Sequence, residues 1–439
     1  MACFVGPVGA RLQISENGRF LEKDGRPFFW LGDTAWELMQ RPTLEEAQFY
    51  FDDRAEKGFT IILTNTFSHW GLQRPNVNGD FPFTENDPTR PNEAFFAHVD
   101  AVIEAANAKG LVVGLLPTWG DKVDQRHGAG PEIFNPENAR LYGKWLGARY
   151  ADANLVWILG GDRIPRTEEH FAIWEAMAAG LREAVGQQQL MTYHPWGNQG
   201  SDNFFHERDW LDFNLVQSGH FSPDRLNFEL IERAYDREPT KPVIEAEPCY
   251  EDHPINFDPI YGRFTDFEVR RAGYWALLSG AAGHTYAQNN VWQFYRPELD
   301  EPVAAARKSW KVSLNYPGTV QMAILRDIFD ELPWPQMEPR QDLIRGFIPD
   351  PPATPRFAFD TASGTGIAYS PYGYNFTLAL SAGDGEPLAA EWIDPRSGAK
   401  MPASYEVEEN GSLAFDPPYN PFRGNDWVLR LAHAHLVNP

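Results

Sequence analysis

Eight times along the first three quarters of this chain, a short apolar run gives way to a stretch with helical spacing. No other feature constrains the fold as much. The apolar runs fall at 28–36, 59–66, 111–119, 154–159, 189–197, 212–220, 241–248 and 281–290. The stretches that follow them are 43–58, 92–110, 135–152, 167–186, 203–210, 222–237, 266–280 and 301–331. Start and stop signals agree with this division. Thr43, with Glu46 three residues on, reads as a capping box, and Gly58 as a stop. Asn135 reads as a cap, and so does Ser222 with Pro223 in the first turn. Strands alternating with helices predict a parallel sheet. Eight such units in roughly 250 to 300 residues have the size of a (β/α)8 barrel. A doubly wound open sheet is the rival. It lacks support, because no glycine-rich dinucleotide fingerprint follows the first strand.

The pattern changes over 332–350, which is proline-rich and without helical period. Beyond it lie short strand-like runs punctuated by turn residues, at 356–362, 365–371, 375–381, 389–398 and 427–434. This predicts a small all-β sandwich. A chain of 439 residues also exceeds one ordinary core. The reading is therefore an α/β chain, a (β/α)8 TIM barrel over 1–335 followed by a β-sandwich over 342–439. Such an appendage either props up the barrel or binds sugar. Fold alone does not assign the role.

A net charge of −23 argues against nucleic acid as a partner, since phosphates demand basic patches. No run is long enough to span a bilayer. The start, "MACFVGPVGARLQIS", lacks a basic region followed by an apolar one. It reads as a cytoplasmic chain, or as a secreted or periplasmic one already trimmed of a leader. Cys3 and Cys249 read as free thiols, and no Cys/His cluster has zinc spacing. Aromatics reach 14%, with 15 Trp, and flat rings suit the apolar face of a sugar as well as a large core.

In a barrel of this kind the C-terminal strand ends face the active site. Those ends carry Asp33, Asn65, Trp119, Asp121, Asp162, Arg163, His194, Trp196, His220, Glu245, Glu247, Gln288 and Asn289. The ring holds no serine elbow and no phosphate loop. His194 and His220, on neighbouring strands, leave a metal pair open. Paired carboxylates match better, because glycoside hydrolysis needs one carboxyl as proton donor and another as nucleophile or base. Asp162 closes the fourth strand behind Gly160 and Gly161, which permit close backbone approach. At the seventh strand Glu245 and Glu247 are two apart, so on a strand both point the same way. Spacing does not choose between them. Glu251 follows in the loop.

The stretches "FFWLGDTAWEL", "RAEKGFTIIL", "HVDAVIEAANAKGLVVGLLPTWGD", "WILGGDR" and "EAEPCYE" together resemble the apiosidase-like glycoside hydrolases, glycoside hydrolase family 140. The resemblance runs from about Gly18 to about Pro335, and "EWIDPRSG" resembles the sandwich such proteins carry. It implies a barrel with a β-sandwich and a two-carboxylate hydrolysis without metal or cofactor. It implies Asp162, in the GGDR motif, as acid/base and Glu247, in "AEP", as nucleophile. A glycine is common before that glutamate in the family, and Ala246 stands there in this chain. Asp33, Trp119, Asp121, Arg163, His194 and Gln288 are then expected to hold or stack on the sugar. The implied partner is an oligosaccharide or glycoside, with segments 65–90 and 250–265 as substrate loops. Two other readings stand beside it. One is a metal-dependent hydrolase or isomerase using the histidines. The other is a carbohydrate-binding protein without turnover.

Overall fold

The computed structural model describes residues 11–382 and 388–437, so Cys3 lies outside the described residues. Eight parallel strands form the centre. They are β1 (Trp30–Thr34), β2 (Ile61–Asn65), β3 (Val112–Leu116), β4 (Leu155–Gly160), β5 (Met191–His194), β6 (Asn214–Gln217), β7 (Val243–Glu245) and β8 (Gly283–Tyr286). They pair in the order β5-β4-β3-β2-β1-β8-β7-β6. The seam between β5 and β6 is closed by Asp212 N–H donating to Met191 O (2.9 Å) and Thr192 Oγ1 donating to Phe213 O (2.6 Å). Every residue of these strands is buried, as a parallel sheet covered on both faces requires. The barrel interior is packed with Trp30, Ile61, Leu63, Val112, Val156, Ile158, Leu215 and Ile244. A three-stranded meander over 12–28 adds Leu12, Leu21 and Phe28 to the same cluster.

Helices cover the outside: α1 (Leu44–Glu56), α2 (Glu93–Ala108), α3 (Pro136–Arg149), α4 (Glu168–Val185), α5 (Asn227–Tyr235), α6 (Asp266–Leu278), the short α7 (Trp310–Ser313) and α8 (Pro317–Asp330). The capping box of Thr43 and Glu46 is present, and Asn135 forms another with Asn138. Gly58 follows the end of α1 at φ +79, the left-handed geometry of a helix stop. Among the described residues no helix is long and apolar enough to cross a membrane.

Two expectations fail. Residues 203–210 form no α-helix, only a 3-10 turn over Ser201–Asn203 and irregular turns. The carbonyls of His206, Arg208 and Leu211 converge on Lys241 Nζ at 2.7, 3.3 and 2.5 Å, which satisfies them without a helical ladder. Ser222 caps no helix either. Its hydroxyl accepts from Asp224 N–H (3.2 Å) in a local turn, and α5 starts five residues later at Asn227 with no side-chain cap.

Beyond the barrel, antiparallel sheets of six and four strands enclose a core of Phe357, Phe359, Leu378, Trp392, Leu413 and Leu429. The five predicted runs all contain strands. Short strands at 400–402, 405–407, 413–415 and 434–436 carry no readable period, because each is only three residues long. The sandwich packs on α6. Arg270 holds Asp426 through Nε and Nη2, both at 2.7 Å, and Tyr274 stacks on Tyr369 with centroids 4.7 Å apart.

Candidate active site

The carboxyl end of β4 turns sharply into the mouth of the barrel. Gly160 and Gly161 take φ +90 and +104, and Asp162 follows at φ +51. A Cβ on Gly160 would lie 2.4 Å from His194 O, and one on Gly161 would lie 2.8 Å from the Trp119 ring. The two glycines therefore serve neighbouring protein atoms. They allow the chain to turn between β5 and Trp119, and the turn is tied by Gly161 N–H to His194 O (3.0 Å) and Gly120 N–H to Gly161 O (3.1 Å). Asp162 emerges partly exposed, with Gln217 Nε2 donating to its Oδ1 at 2.9 Å.

At the seventh strand the tie between two glutamates is broken by where the strand stops. Alternation holds only inside a strand, and β7 ends at Glu245. Glu245 turns away to accept from Ser218 Oγ (3.1 Å) and Asn227 Nδ2 (3.2 Å), and burial pushes its carboxyl up to about 7. Glu247, past the strand end, turns into the mouth. Its Oε1 meets His220 Nε2 at 3.1 Å and its Oε2 lies 2.9 Å from His194 Nε2. The second of these is a charge contact and not an aligned hydrogen bond. Glu251 also points away, accepting from Tyr286 OH (2.5 Å) and Gly318 N–H (3.1 Å).

Asp162 and Glu247 sit in opposite electrostatic settings. Burial and the nearby Glu247 charge push Asp162 up to about 6, against the pull of His194, Gln217 and Arg163. Burial works against the charge of Glu247 too, but the two imidazoles outweigh it and hold Glu247 well below the usual carboxylate range. Burial opposes the charge of His194, yet Glu247 and Asp162 hold it above its ordinary value. Its other nitrogen, Nδ1, donates to Pro195 O at 3.2 Å. His253 stacks on His220 with centroids 4.5 Å apart; burial and the His220 charge keep it well below the ordinary imidazole value. Its Nδ1 donates to Pro254 O at 2.7 Å. The Tyr250 hydroxyl accepts from Trp36 Nε1 (3.0 Å) and sits beside Glu247. Donor atoms of Asp162, His194 and Glu247 all lie within 4.8 Å of one another.

These groups border a cavity of about 480 Å³ walled by rings, among them Trp36, Trp70, Trp119, Trp196, Tyr250 and Trp292. Trp36 meets Trp119 edge to face at 5.1 Å and His194 at 5.4 Å. Such a wall offers apolar faces for stacking, with a few polar groups converging on one point.

Of the six residues expected to hold sugar, Trp119 and Arg163 line the cavity, and His194 touches Glu247 beneath it. The other three hold the framework. Asp33 points outward from β1, where its Oδ2 accepts from Tyr50 OH (2.6 Å) and Arg54 Nε (2.5 Å). Asp121 pairs with Lys122 (2.6 Å) and accepts from Gly130 N–H (2.7 Å), tying the loop after β3. Gln288 Oε1 accepts from the backbone of Asn290 (2.6 Å) and Val291 (3.1 Å). Sequence reasoning did not single out Trp36, His69, Trp70, Gln217, Tyr250, His253 or Trp292, all of which line the cavity. Most sit in loops beyond the strand ends, where neither period nor cap marks them. Gln217, the last residue of β6, was within reach of the strand-end rule.

Residues 15–336 match the model of the family described as apiosidase-like, catalytic domain. Residues 351–432 match a family named for the collagen-binding domain of a collagenase. Among solved structures, one titled a glycoside hydrolase is 30% identical, with TM-score 0.87 and 97% of each chain covered. A structure titled a glycoside hydrolase family 5 protein from Bacteroides vulgatus is 29% identical, with TM-score 0.87, covering 96% of this chain and 93% of its own. A third, also from Bacteroides vulgatus, shares the fold at 17% identity and TM-score 0.70. A search of curated proteins gives no match. With the family model spanning most of the chain and two acids facing one aromatic cavity, this protein belongs to the apiosidase-like glycoside hydrolases.

Proposed function

We propose that this glycoside hydrolase cleaves a glycosidic bond in a plant or microbial glycan fragment by retaining double displacement. Asp162 is the acid/base and Glu247 the nucleophile. One observation carries the reading: one oxygen of the Asp162 carboxyl and one of the Glu247 carboxyl lie within 4.8 Å of each other, which suits the closer of the two arrangements. Retaining enzymes hold the pair about 5–5.5 Å apart, whereas inverting ones leave roughly 6.5–9.5 Å for a water. The electrostatics fit the same roles. Asp162, up to about 6, is the group that can carry a proton to the glycosidic oxygen. Glu247, held ionised by His194 and His220, attacks the anomeric carbon as the bond to the leaving group breaks. Formation of the glycosyl ester removes the Glu247 charge. Asp162, now ionised, then takes a proton from water as that water attacks the same carbon, and the Glu247 carboxylate is released.

The same three donors would also suit a divalent cation. The test is a panel of aryl apiosides, arabinofuranosides, xylosides and galactosides, run with and without chelator. Turnover of one glycoside should survive chelation and fall at least about a thousandfold in Asp162→Ala and in Glu247→Ala. NMR of the first product should show the anomeric configuration of the substrate. Inverted product, activity that survives Glu247→Ala, or loss on chelation would overturn the assignment.

A further inference from the structure

The rings that wall the catalytic cavity do not stop at its rim. Phe221 and Phe257 line it and meet with centroids 5.7 Å apart, yet they stay 41% and 54% exposed. Phe221 leads into the loop after β6, and three residues on, Asp224 is held by the sandwich. Arg423 Nη1 donates to Asp224 Oδ1 (2.8 Å), and Arg423 Nη2 donates to Glu268 Oε1 (2.7 Å). This contact fixes a level. The chain must return from the mouth, where β7 ends, to the start of β8 at the far end of the barrel. So α6 begins at the mouth, and Glu268 lies in its first turn. The sandwich loop that carries Arg423 therefore stands beside the rim.

That loop, "DPPYNPFRG" over 416–424, shows two large rings to solvent. Tyr419 is 77% exposed and Phe422 58%. Single exposed rings are ordinary on a protein surface. These two are held in place. Pro417, Pro418 and Pro421 each fix a backbone angle. The buried Asn425 amide donates to Pro418 O and to Asn420 O, both at 3.1 Å, and accepts from Trp427 Nε1 at 3.0 Å. Phe422 N–H donates to Tyr372 O at 3.0 Å. Tyr419 itself sits at φ +67, the left-handed region that a bulky residue adopts only where its surroundings hold it. This strain buries nothing; it keeps a ring in water. A ring on a rigid loop loses little freedom when a partner covers it. Charge does not choose that partner, because Arg271 and Arg423 are balanced by Asp224 and Glu268. What remains is flat apolar surface beside the mouth of a glycoside hydrolase, and the apolar face of a sugar ring fits it.

We propose that Tyr419 and Phe422 form a second carbohydrate site, a platform on which the glycan chain beyond the catalytic cavity rests by the apolar faces of its sugars. The sandwich then takes part in holding a long substrate. The inference rests on the glycoside substrate of the family and not on the roles given to Asp162 and Glu247, and its test reads binding.

Xylohexaose, arabinohexaose, galactohexaose and cellohexaose, with the disaccharide of each as control, are titrated calorimetrically into the full chain in the cold. Wild type and Asp162→Ala are both used, and chromatography of the recovered sugar selects the titrations in which the chain stays whole. At least one hexasaccharide should bind roughly tenfold more tightly than its disaccharide, as two ring contacts allow. High salt should leave this advantage in place. The double variant Tyr419→Ala/Phe422→Ala should lose it, while Leu141→Ala, an exposed apolar residue of α3, should keep it. Thermal unfolding shows whether the double variant is folded. If it is not, Phe422→Leu alone, apolar but without a flat face, should weaken the hexasaccharide severalfold. Equal binding of long and short chains, absence of binding by any chain, an advantage abolished by salt, or an unchanged advantage in a folded double variant overturns the proposal. Failure of the Asp162→Ala and Glu247→Ala activity test with this result intact would overturn the mechanism and leave the platform standing.

Discussion

Asp162 and Glu247 are two carboxyls made different by their neighbours. Half-buried beside a charge of its own sign, Asp162 rises to about 6; Glu247 faces two imidazoles and falls. The expected consequence is an acid-sided enzyme. Asp162 must be protonated to act first as acid, so kcat/KM should fall about tenfold per pH unit above about 6. Glu247 stays ionised well below the ordinary range, so its titration should not limit activity between pH 4 and 6. Gln217 donates to Asp162 Oδ1 and favours its ionised form. Gln217→Leu should therefore move the alkaline limb upward, and a pH–rate profile of the variant that leaves it in place would contradict this. Gly161 is the residue that aims Asp162. A methyl there meets the Trp119 ring at 2.8 Å from a backbone at φ +104. Gly161→Ala should cost about a hundredfold in kcat with the fold intact by circular dichroism, because misplacing a catalytic group by about 1 Å costs that much.

At the scale of elements, local signals worked where the chain satisfies itself and failed where distant residues do the satisfying. Asn135 and Asn138 close a capping box within four residues, so the start of α3 was legible. Asn135→Ala should lower stability by about 1 kcal/mol in denaturant melts, with little effect on turnover. The fifth crossover forms no helix over 203–210 because its carbonyls are collected by Lys241, some 30 residues further on. Ser222 looked like a cap, yet its turn closes on Asp224 before α5 begins. The alternation rule placed Glu245 and Glu247 on one face, and it lapsed because β7 ends at the first of them.

At the scale of the molecule, the sandwich packs against the barrel. Among the described residues, none beyond 304 lines the catalytic cavity. The sandwich instead covers α6, where Arg270, Arg271, Tyr274 and Trp275 are all buried. Arg270 and Asp426 form a doubly bonded ion pair across this junction, 1% and 0% exposed. Removing Asp426 takes away the one fully buried counter-charge of Arg270 and leaves it only the partly exposed Asp266, at 3.1 Å. Asp426→Ala should therefore destabilise the whole chain by about 3–5 kcal/mol. Thermal unfolding should show it, and the double variant Arg270→Met/Asp426→Leu should recover part of the loss. The division at 335 and 342 is proposed as a boundary of sequence pattern only. The strand Glu338–Pro339 already pairs with 358–359 of the sandwich, and α6 is shared by both packing layers.

The sequence by itself determined the barrel, the sandwich after it and the place of Asp162 at the end of the fourth strand. Buried strands, amphipathic helices and caps are written in neighbouring residues, and parallel strands place their carboxyl ends at one rim. What surrounds the acids was decided by tertiary structure alone. Which glutamate enters the mouth depended on where β7 stops, and Asp33, Asp121 and Gln288 proved to be framework because their partners come from other elements. The wall of rings is built largely from loops whose side chains meet across the barrel mouth. Contacts between residues remote in sequence carry no local period, so only the folded chain sets them.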